Sequence, residues 1–240
     1  MNKYLQYLSK WISDYCKAAH VSGIIVGISG GIDSALLAQI AAQDKKLKVL
    51  GVWMNIGNSA LDIQCVEDLK KQNKFDIIDI DLNTIYVQQT NLLRLTSPLA
   101  LANLKARLRM TTLYALAQQN NLIVAGTGNA DELYMGYFTK YGDGACDILP
   151  LANLTKDDIF TASKLLKLPS RIIERAPSAS LFAGQTDENE MGVSYNDIDD
   201  YLCGKKISES SIKIIERFHK VNSHKFHLPI KPDKQFKKLK

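Results

Sequence analysis

The strongest constraint on the fold is an alternation in the first half of the chain, where short apolar runs of strand length are separated by segments of helical period. Tyr4, Leu5, Leu8, Trp11, Ile12 and Tyr15 fall on one face of a helix over Met1 to His20, closed by Gly23. Ile24 to Ile28 then reads as a buried strand, Asp33 to Ala42 as a helix, Val49 to Met54 as a strand, Leu61 to Lys71 as a helix and Ile77 to Ile80 as a strand. Ser97-Pro98 opens a long helix to Gln119, with serine as N-cap and proline at the first helical position, and Leu122 to Ala125 follows as a fourth strand. Strands separated by helices pair in parallel, and their helices cover both sides of the sheet. The expected fold is therefore α/β, a doubly wound, mostly parallel sheet with helices on both faces. The 240 residues suit one such domain, residues 1–240.

Ligands of such sheets bind beyond the carboxyl ends of the strands. Two glycine-bearing turns sit there, one after Ile28 and one, Gly126-Thr127-Gly128, after Ala125. In the first, Gly27-Ile28-Ser29-Gly30-Gly31-Ile32-Asp33-Ser34, the glycines let backbone N–H groups converge on an anion. The helix that follows adds the partial positive charge of its N-terminus, and Ser29 and Ser34 add hydroxyls. The lysine of a G-x-x-x-x-G-K-[ST] phosphate loop is missing, and an acid stands in the loop instead. An acid beside phosphates is repulsive unless a divalent cation bridges them, so Asp33 implies Mg²⁺. The same run satisfies G-x-S-x-G, the nucleophile elbow of hydrolases, with His219, His224 or His227 to complete a triad. That reading leaves Asp33-Ser34 and the second half of the chain without a role.

The second half has a different texture. Gly136 to Asp147 and Arg175 to Gly192 read as loops, and loops of that length inside a compact domain read as lids over a site. Thr155 opens a helix with Asp158 placed for a capping box, and Pro169 follows its end. Ser194 to Leu202 and Ser208 to Val221 read as further helices.

The run S-G-G-x-D-S is similar to the pyrophosphate loop of the N-type ATP pyrophosphatases. The remainder of the chain resembles one branch of that superfamily, the NAD synthetases. The resemblance is carried by Asn103-Leu104-Lys105-Ala106-Arg107-Leu108-Arg109-Met110, by Gly126-Thr127-Gly128-Asn129 with Glu132, and by the run from Gly136 to Gly144. It continues through Leu154-Thr155-Lys156, Pro177-Ser178-Ala179, Gln185-Thr186-Asp187-Glu188 and His224-Lys225. It implies an adenine nucleotide α-hydrolase-like (Rossmann-like) fold. It also implies a role in NAD biosynthesis: ATP-dependent amidation of deamido-NAD with ammonia through an acyl-adenylate, giving NAD, AMP and pyrophosphate. Asp33 and Ser34 are then catalytic. Gly27, Ile28, Ser29, Gly30, Gly31, Ile32, Asp33, Ser34, Thr127, Lys156 and Ser178 bind ATP, and Arg107, Lys140, Asp147, His224 and Lys225 bind deamido-NAD. Asp33 and Glu132 hold Mg²⁺. A homodimer is implied as well, with the apolar stretch around Ile85, Tyr86, Leu92 and Leu93 as interface material. The chain departs from the family in four places, one of them Ser178, which stands where threonine is common and keeps the hydroxyl. Met54-Asn55-Ile56-Gly57 replaces a proline-containing loop, Ala130-Asp131 stands where Lys-Ser or Ala-Ala is usual, and Phe226 stands where arginine is usual.

Composition narrows the remaining classes. No apolar run approaches the ~20 residues of a membrane-spanning helix, and Met1 to Lys10 has no continuous apolar stretch of the kind a secretory signal carries. Cys16, Cys65, Cys146 and Cys203 are far apart and form no C-x-x-C pair, which points to reduced thiols in a cytoplasmic protein rather than disulfides or zinc. Net charge is +5, much of it at Lys231, Lys234, Lys237, Lys238 and Lys240, a distribution that reads as a solvated terminus. Neither a membrane nor a nucleic acid is expected as partner. A glutaminase domain would need on the order of 100–250 further residues, so free ammonia is the expected nitrogen donor. A tRNA-modifying ligase and a non-catalytic nucleotide sensor are the competing functions. The first usually adds a nucleic-acid module or reactive cysteines, and the second has no need of a paired Asp33 and Glu132.

Overall fold

A computed structural model describes residues 1–176 and 187–232. The chain runs through α1 (Asn2–Ala18), β1 (Gly23–Ile28), α2 (Ile32–Ala41), β2 (Lys48–Asn55), α3 (Ala60–Gln72), β3 (Asp76–Asp81), α4 (Asn83–Leu93), α5 (Pro98–Gln119) and β4 (Leu122–Val124). It continues through α6 (Ala130–Met135), α7 (Lys156–Leu165), α8 (Ser170–Glu174), α9 (Asp187–Met191), α10 (Tyr195–Leu202), α11 (Glu209–Asn222) and a 3₁₀ turn at Ser223–Lys225. The sheet has the order β3-β2-β1-β4, and every pairing is parallel.

Alternation along β1 sorts the core into two layers. Ile24, Val26 and Ile28 pack with α1, α2 and α7 on one face, through Leu5, Ile12, Leu36, Ile40 and Ile159. Ile25 points the other way and packs with Leu50, Val52 and Met54 of β2 and with Ala117 of α5. Both faces are covered, as the apolar runs require. A third cluster, Met135, Met191, Val193, Tyr195, Ile198 and Ile215, fastens α10 and α11 to α6. α6 follows β4 in the chain, so this cluster ties α10 and α11 to the segment that leaves the sheet at β4.

Local chemistry sets the element ends that matter for the site. Asn129 caps α6 and Thr155 caps α7, each in a reciprocal capping box, with Glu132 and Asp158 respectively. Gly30 sits at φ +80°, where a Cβ would come within 2.9 Å of the Asp62 carbonyl oxygen, so only glycine fits there. Some expectations need correcting. Ser97 is the N-cap of α5, but its hydroxyl makes no capping bond, and Pro98 alone marks the start. α4, α6 and α8 occupy stretches that the apolar pattern does not reveal, and α9 interrupts the segment read as one loop from Arg175 to Gly192. All four cysteines are unpaired. Among the described residues no helix is long and apolar enough to cross a membrane.

Candidate active site

Asp33, in the first turn of α2, is engaged at both oxygens. Lys156 Nζ lies 2.7 Å from Oδ2, and Asn129 Nδ2 donates to Oδ1 at 2.9 Å. Lys156 Nζ is also 3.9 Å from Glu132 Oε1. One ammonium, on a residue only 2% exposed, thus lies between two carboxylates from different helices. Burial alone would lower the Lys156 pKa, but the charges of Asp33 and Glu132 outweigh it and hold it above the usual lysine range. Glu132 is raised above the usual carboxyl range, first by burial and then by the charge of Asp33. Asp33 and Glu132 form an all-oxygen donor pair of the kind a hard cation takes. Among the described residues no group of three or more His, Cys, Asp and Glu side chains gathers to hold a metal ion. The pair therefore fits a cation that completes its shell with phosphate oxygens and water.

The phosphate loop is braced from within. Ser34 Oγ donates to the Gly31 carbonyl at 3.0 Å, accepts from Ser29 N at 3.3 Å and lies 3.2 Å from Ser29 Oγ. Gly31 N donates to Ser29 Oγ at 3.1 Å. Ser34 is buried and turned into the loop, whereas Ser29 is exposed at its rim. Ser29 Oγ is bonded to Ser34 and Gly31, while the imidazole of His219 meets the Tyr134 carbonyl at 2.8 Å, so the hydrolase elbow gains no support.

Lys156 is placed by two acids, Asp131 and Asp199, that carried no assigned role in the sequence. Its backbone N–H donates to Asp131 Oδ2 at 2.6 Å and Asp199 Oδ1 at 3.2 Å, and the next N–H donates to Asp199 Oδ2 at 3.0 Å. With Thr155 capping Asp158 N, the first three amides of α7 all have acceptors. Asn129, quoted within the Gly126–Asn129 turn but given no role of its own, is fully buried and joins Asp33 to the cap of α6. The signal for it was the N-x-x-E spacing of a capping box.

The acceptor side is a cavity of about 430 Å³ lined by Thr127, Glu132, Phe138, Asp143, Lys225 and Phe226, among others. It brings predicted ATP and metal residues against a predicted deamido-NAD residue. The rings of Phe138 and Phe226 meet edge to face with centroids 6.1 Å apart. Lys225 Nζ donates to the Gly136 and Phe138 carbonyls at 2.7 and 2.8 Å. Lys140 Nζ donates to the carbonyls of His224 and His227, and Arg107 donates to the Lys140 carbonyl at 3.4 Å. Arg107, Lys140, His224 and Lys225 are therefore brought together. Asp147 is not among them. Its carboxylate accepts from Val124 N at 2.7 Å and from the Tyr114 hydroxyl at 3.3 Å, and it lines a separate cavity with Tyr114, Gln118 and Asn121. Ser178 lies outside the described residues.

A model of the NAD synthase family matches residues 4–229. The NH(3)-dependent NAD(+) synthetase of Mesoplasma florum is 42% identical over 242 residues, covering 99% of each chain. Among solved structures, the NMN synthetase of Francisella tularensis is similar at a TM-score of 0.92 and 42% identity, covering 97% of this chain and 98% of that one. The NH3-dependent NAD synthetase of Campylobacter jejuni is similar at a TM-score of 0.80 and 27% identity, again covering 97% and 98%.

Proposed function

The chain belongs to the NAD synthase family, and from that premise we propose how its residues carry out ATP-dependent amidation of deamido-NAD with ammonia. The observation that carries the reading is the Asp33–Lys156–Glu132 cluster, set beneath a phosphate loop without its own lysine and opening onto a cavity with aromatic and cationic walls. ATP lies along Gly27 to Ser34, and Thr127, Lys156 and Ser178 complete its contacts. Ser34 contributes by holding the loop in shape. The nicotinate carboxylate, steered by the cations of Arg107, Lys140 and Lys225 with His224 beside them, attacks the α-phosphorus. A carboxylate oxygen–phosphorus bond forms, the α–β phosphoanhydride bond breaks, and pyrophosphate leaves. Ammonia then adds to the acyl carbon, AMP leaves with the bonding electrons, and a proton passes to solvent, leaving the amide. Positioning and charge neutralisation do most of the work in such a step. Asp33 and Glu132 would hold Mg²⁺, which supplies neutralisation of phosphate charge when bound. The test is product analysis with deamido-NAD and ammonium. AMP and pyrophosphate are expected, and formation of ADP would overturn the scheme.

A second reading of the acceptor has its own support. The Francisella protein, an NMN synthetase, matches at the higher TM-score and identity, and Asp147 faces a cavity apart from the one that holds Lys225. On this reading nicotinate mononucleotide, the smaller acceptor, is amidated as well. Pyrophosphate release measured with each acceptor in turn decides between them, and a kcat/KM higher for the mononucleotide would reverse the assignment.

We also place the enzyme in the cytoplasm as one domain and as a homodimer. α4 leaves Ile85, Leu92 and Leu93 exposed, and their spacing puts the three on one side of the helix. A face of that kind marks an interface. A sedimentation mass of one chain would refute the dimer.

A further inference from the structure

Arg109 lies on the sheet-facing side of α5 and has no role in the scheme above. Its height along the sheet follows from its neighbours. α5 ends at Gln119, just before Leu122, which pairs with Gly23 at the amino end of β1. The helix therefore runs back from the carboxyl ends of the strands. Leu113 is level with Gly27, since a Cβ added there would stand 3.3 Å from Leu113 Cδ1 and 3.4 Å from Met54 Cε. Arg109, one turn earlier, is about 6 Å nearer the carboxyl ends, which is the level of Ser29 and Gly30. Its contacts agree with that height. Nε donates to the Met54 carbonyl at 3.4 Å, and Nη2 donates to Asn58 Oδ1 at 3.3 Å. Met54 follows Trp53, the register partner of Ile28, and Ile28 leads into the phosphate loop.

Both partners are neutral and both bonds are long. Among the described residues no carboxylate forms an ion pair with Arg109, and Asp62 and Asp143 favour its charge only from a distance. The acid nearest in influence, Asp62, is already committed. Its Oδ1 is 2.6 Å from Arg175 Nη2, and its Oδ2 accepts from Ser59 N at 2.7 Å. Lys105, one turn before Arg109, adds positive charge to the same region, and burial and the charge of Arg109 both lower its pKa. Burial likewise pulls Arg109 down. A guanidinium cannot shed its proton, and a charge withdrawn from water is costly until it meets an opposite one.

We propose that Arg109 is a substrate-phosphate residue, whose guanidinium receives phosphate oxygens of a nucleotide bound at the Ser29–Gly30 turn. Met54, at the end of β2, and Asn58, in the turn that follows, hold the guanidinium at that height. The inference rests on the reading that ATP and a nucleotide acceptor share this crevice.

The test compares Arg109→Met and Arg109→Gln with the wild type by thermal melting and by calorimetric titration with ATP, pyrophosphate and deamido-NAD. Without ligand, Arg109→Met should melt at or above the wild-type temperature, because it removes a buried charge that no ion pair compensates. Binding of a phosphate-bearing ligand should weaken about 10- to 100-fold, the range expected for losing hydrogen bonds to a charged group. Weakening confined to ATP and pyrophosphate assigns the contact to ATP, and weakening confined to deamido-NAD assigns it to the acceptor's phosphates. Wild-type affinity for all three ligands overturns the proposal. So does a lowered melting temperature with affinities intact, which would make Arg109 a brace for the Asn55–Asn58 loop. Arg109→Gln keeps donors for Met54 and Asn58 while removing the charge, so it decides the matter if the methionine variant does not fold. Failure of the functional reading looks different, because a wild type that releases no pyrophosphate from deamido-NAD still binds ATP.

Discussion

On the phosphate side of the crevice, Asp33, Asn129, Glu132 and Lys156 come from three separate stretches of chain and hold one another through charges and side-chain hydrogen bonds. On the acceptor side, Lys140 and Lys225 hold backbone carbonyls, stapling the loop after α6 to the 3₁₀ turn and the residues that follow it. The contrast teaches where substrate has to do work. A phosphate group entering the first region meets a charge distribution that is already fixed. An acceptor entering the second region competes with carbonyls for each ammonium, and a typical hydrogen bond contributes only about 0.5–1.5 kcal/mol net. On the proposed function, the phosphate side is therefore set by folding and the acceptor side by binding.

The widest separation between the two sides should come from Asp33→Ala. It removes one of the two carboxylates proposed to hold the cation, and the closer partner of Lys156. Turnover should fall about a thousand-fold, at the upper end of what a single electrostatic group contributes, while Glu132 still pairs Lys156 and the protein folds. Near-normal turnover under saturating Mg²⁺ and ATP would remove Asp33 from the centre. Lys156→Met should act on folding as well as on chemistry. It leaves Asp33 and Glu132 facing each other unneutralised, so stability should drop about 3 kcal/mol and turnover about a hundred-fold. Chemical denaturation and steady-state kinetics measure the two losses independently. If only turnover falls, the charges on the phosphate side are not part of the fold.

How well the sequence predicted these parts follows from the range of the contacts. β1 and β2 match their apolar runs closely because burial on both faces writes itself into consecutive residues. α7 was readable from Thr155 and Asp158, whose contact spans three residues. α4 left no periodic signal because it buries no side chain, and a stripe needs a covered face to be selected. The acids that place Lys156 stand 25 and 43 residues away from it, and Asn129 lies 96 residues from Asp33, so only the tertiary fold joins them. The engagement of Lys140 and Lys225 was hidden for another reason. Their partners are carbonyls, which every residue carries and no sequence distinguishes. Family resemblance named both lysines as substrate contacts but did not show that each is already bonded to the protein.

The acceptor side yields a smaller, selective effect. Lys225→Met keeps the stem beside Phe138, whose ring centroid is 5.4 Å from Nζ, and loses both carbonyl bonds together with the charge. The KM for the acceptor should rise about tenfold, a loss of roughly 1.4 kcal/mol, and the KM for ATP should hold. A parallel rise in both constants would mean that the two sides are coupled and that the contrast drawn above is false.

The smallest expected effect concerns the brace behind the phosphate loop. Asp62 is fully buried, pairs with Arg175 and completes the capping box of α3 with Ser59, and Arg175 also donates to the Gly30 carbonyl at 3.4 Å. Burial acts to raise the Asp62 pKa, but the Ser59 amide and hydroxyl and the Arg175 guanidinium outweigh it and hold the carboxyl below its ordinary value. A depressed carboxyl stabilises the fold above the ordinary Asp pKa of about 3.9, and that contribution is lost as pH falls through the lower, folded value. Ser59→Ala removes the cap and one of the groups that depress Asp62. At pH 7 it should cost about 1 kcal/mol. As acid protonates Asp62 in both proteins, the part of the gap that comes from its shifted titration should close, leaving only the cap's own share. Urea denaturation at pH 7 and again below about pH 3 reads both quantities. A gap that stays constant with pH would show that Ser59 acts through the helix end alone, and that Asp62 owes its depressed titration to Arg175. In that case the ion pair behind Gly30, and not the cap, is what fixes the phosphate side before substrate arrives.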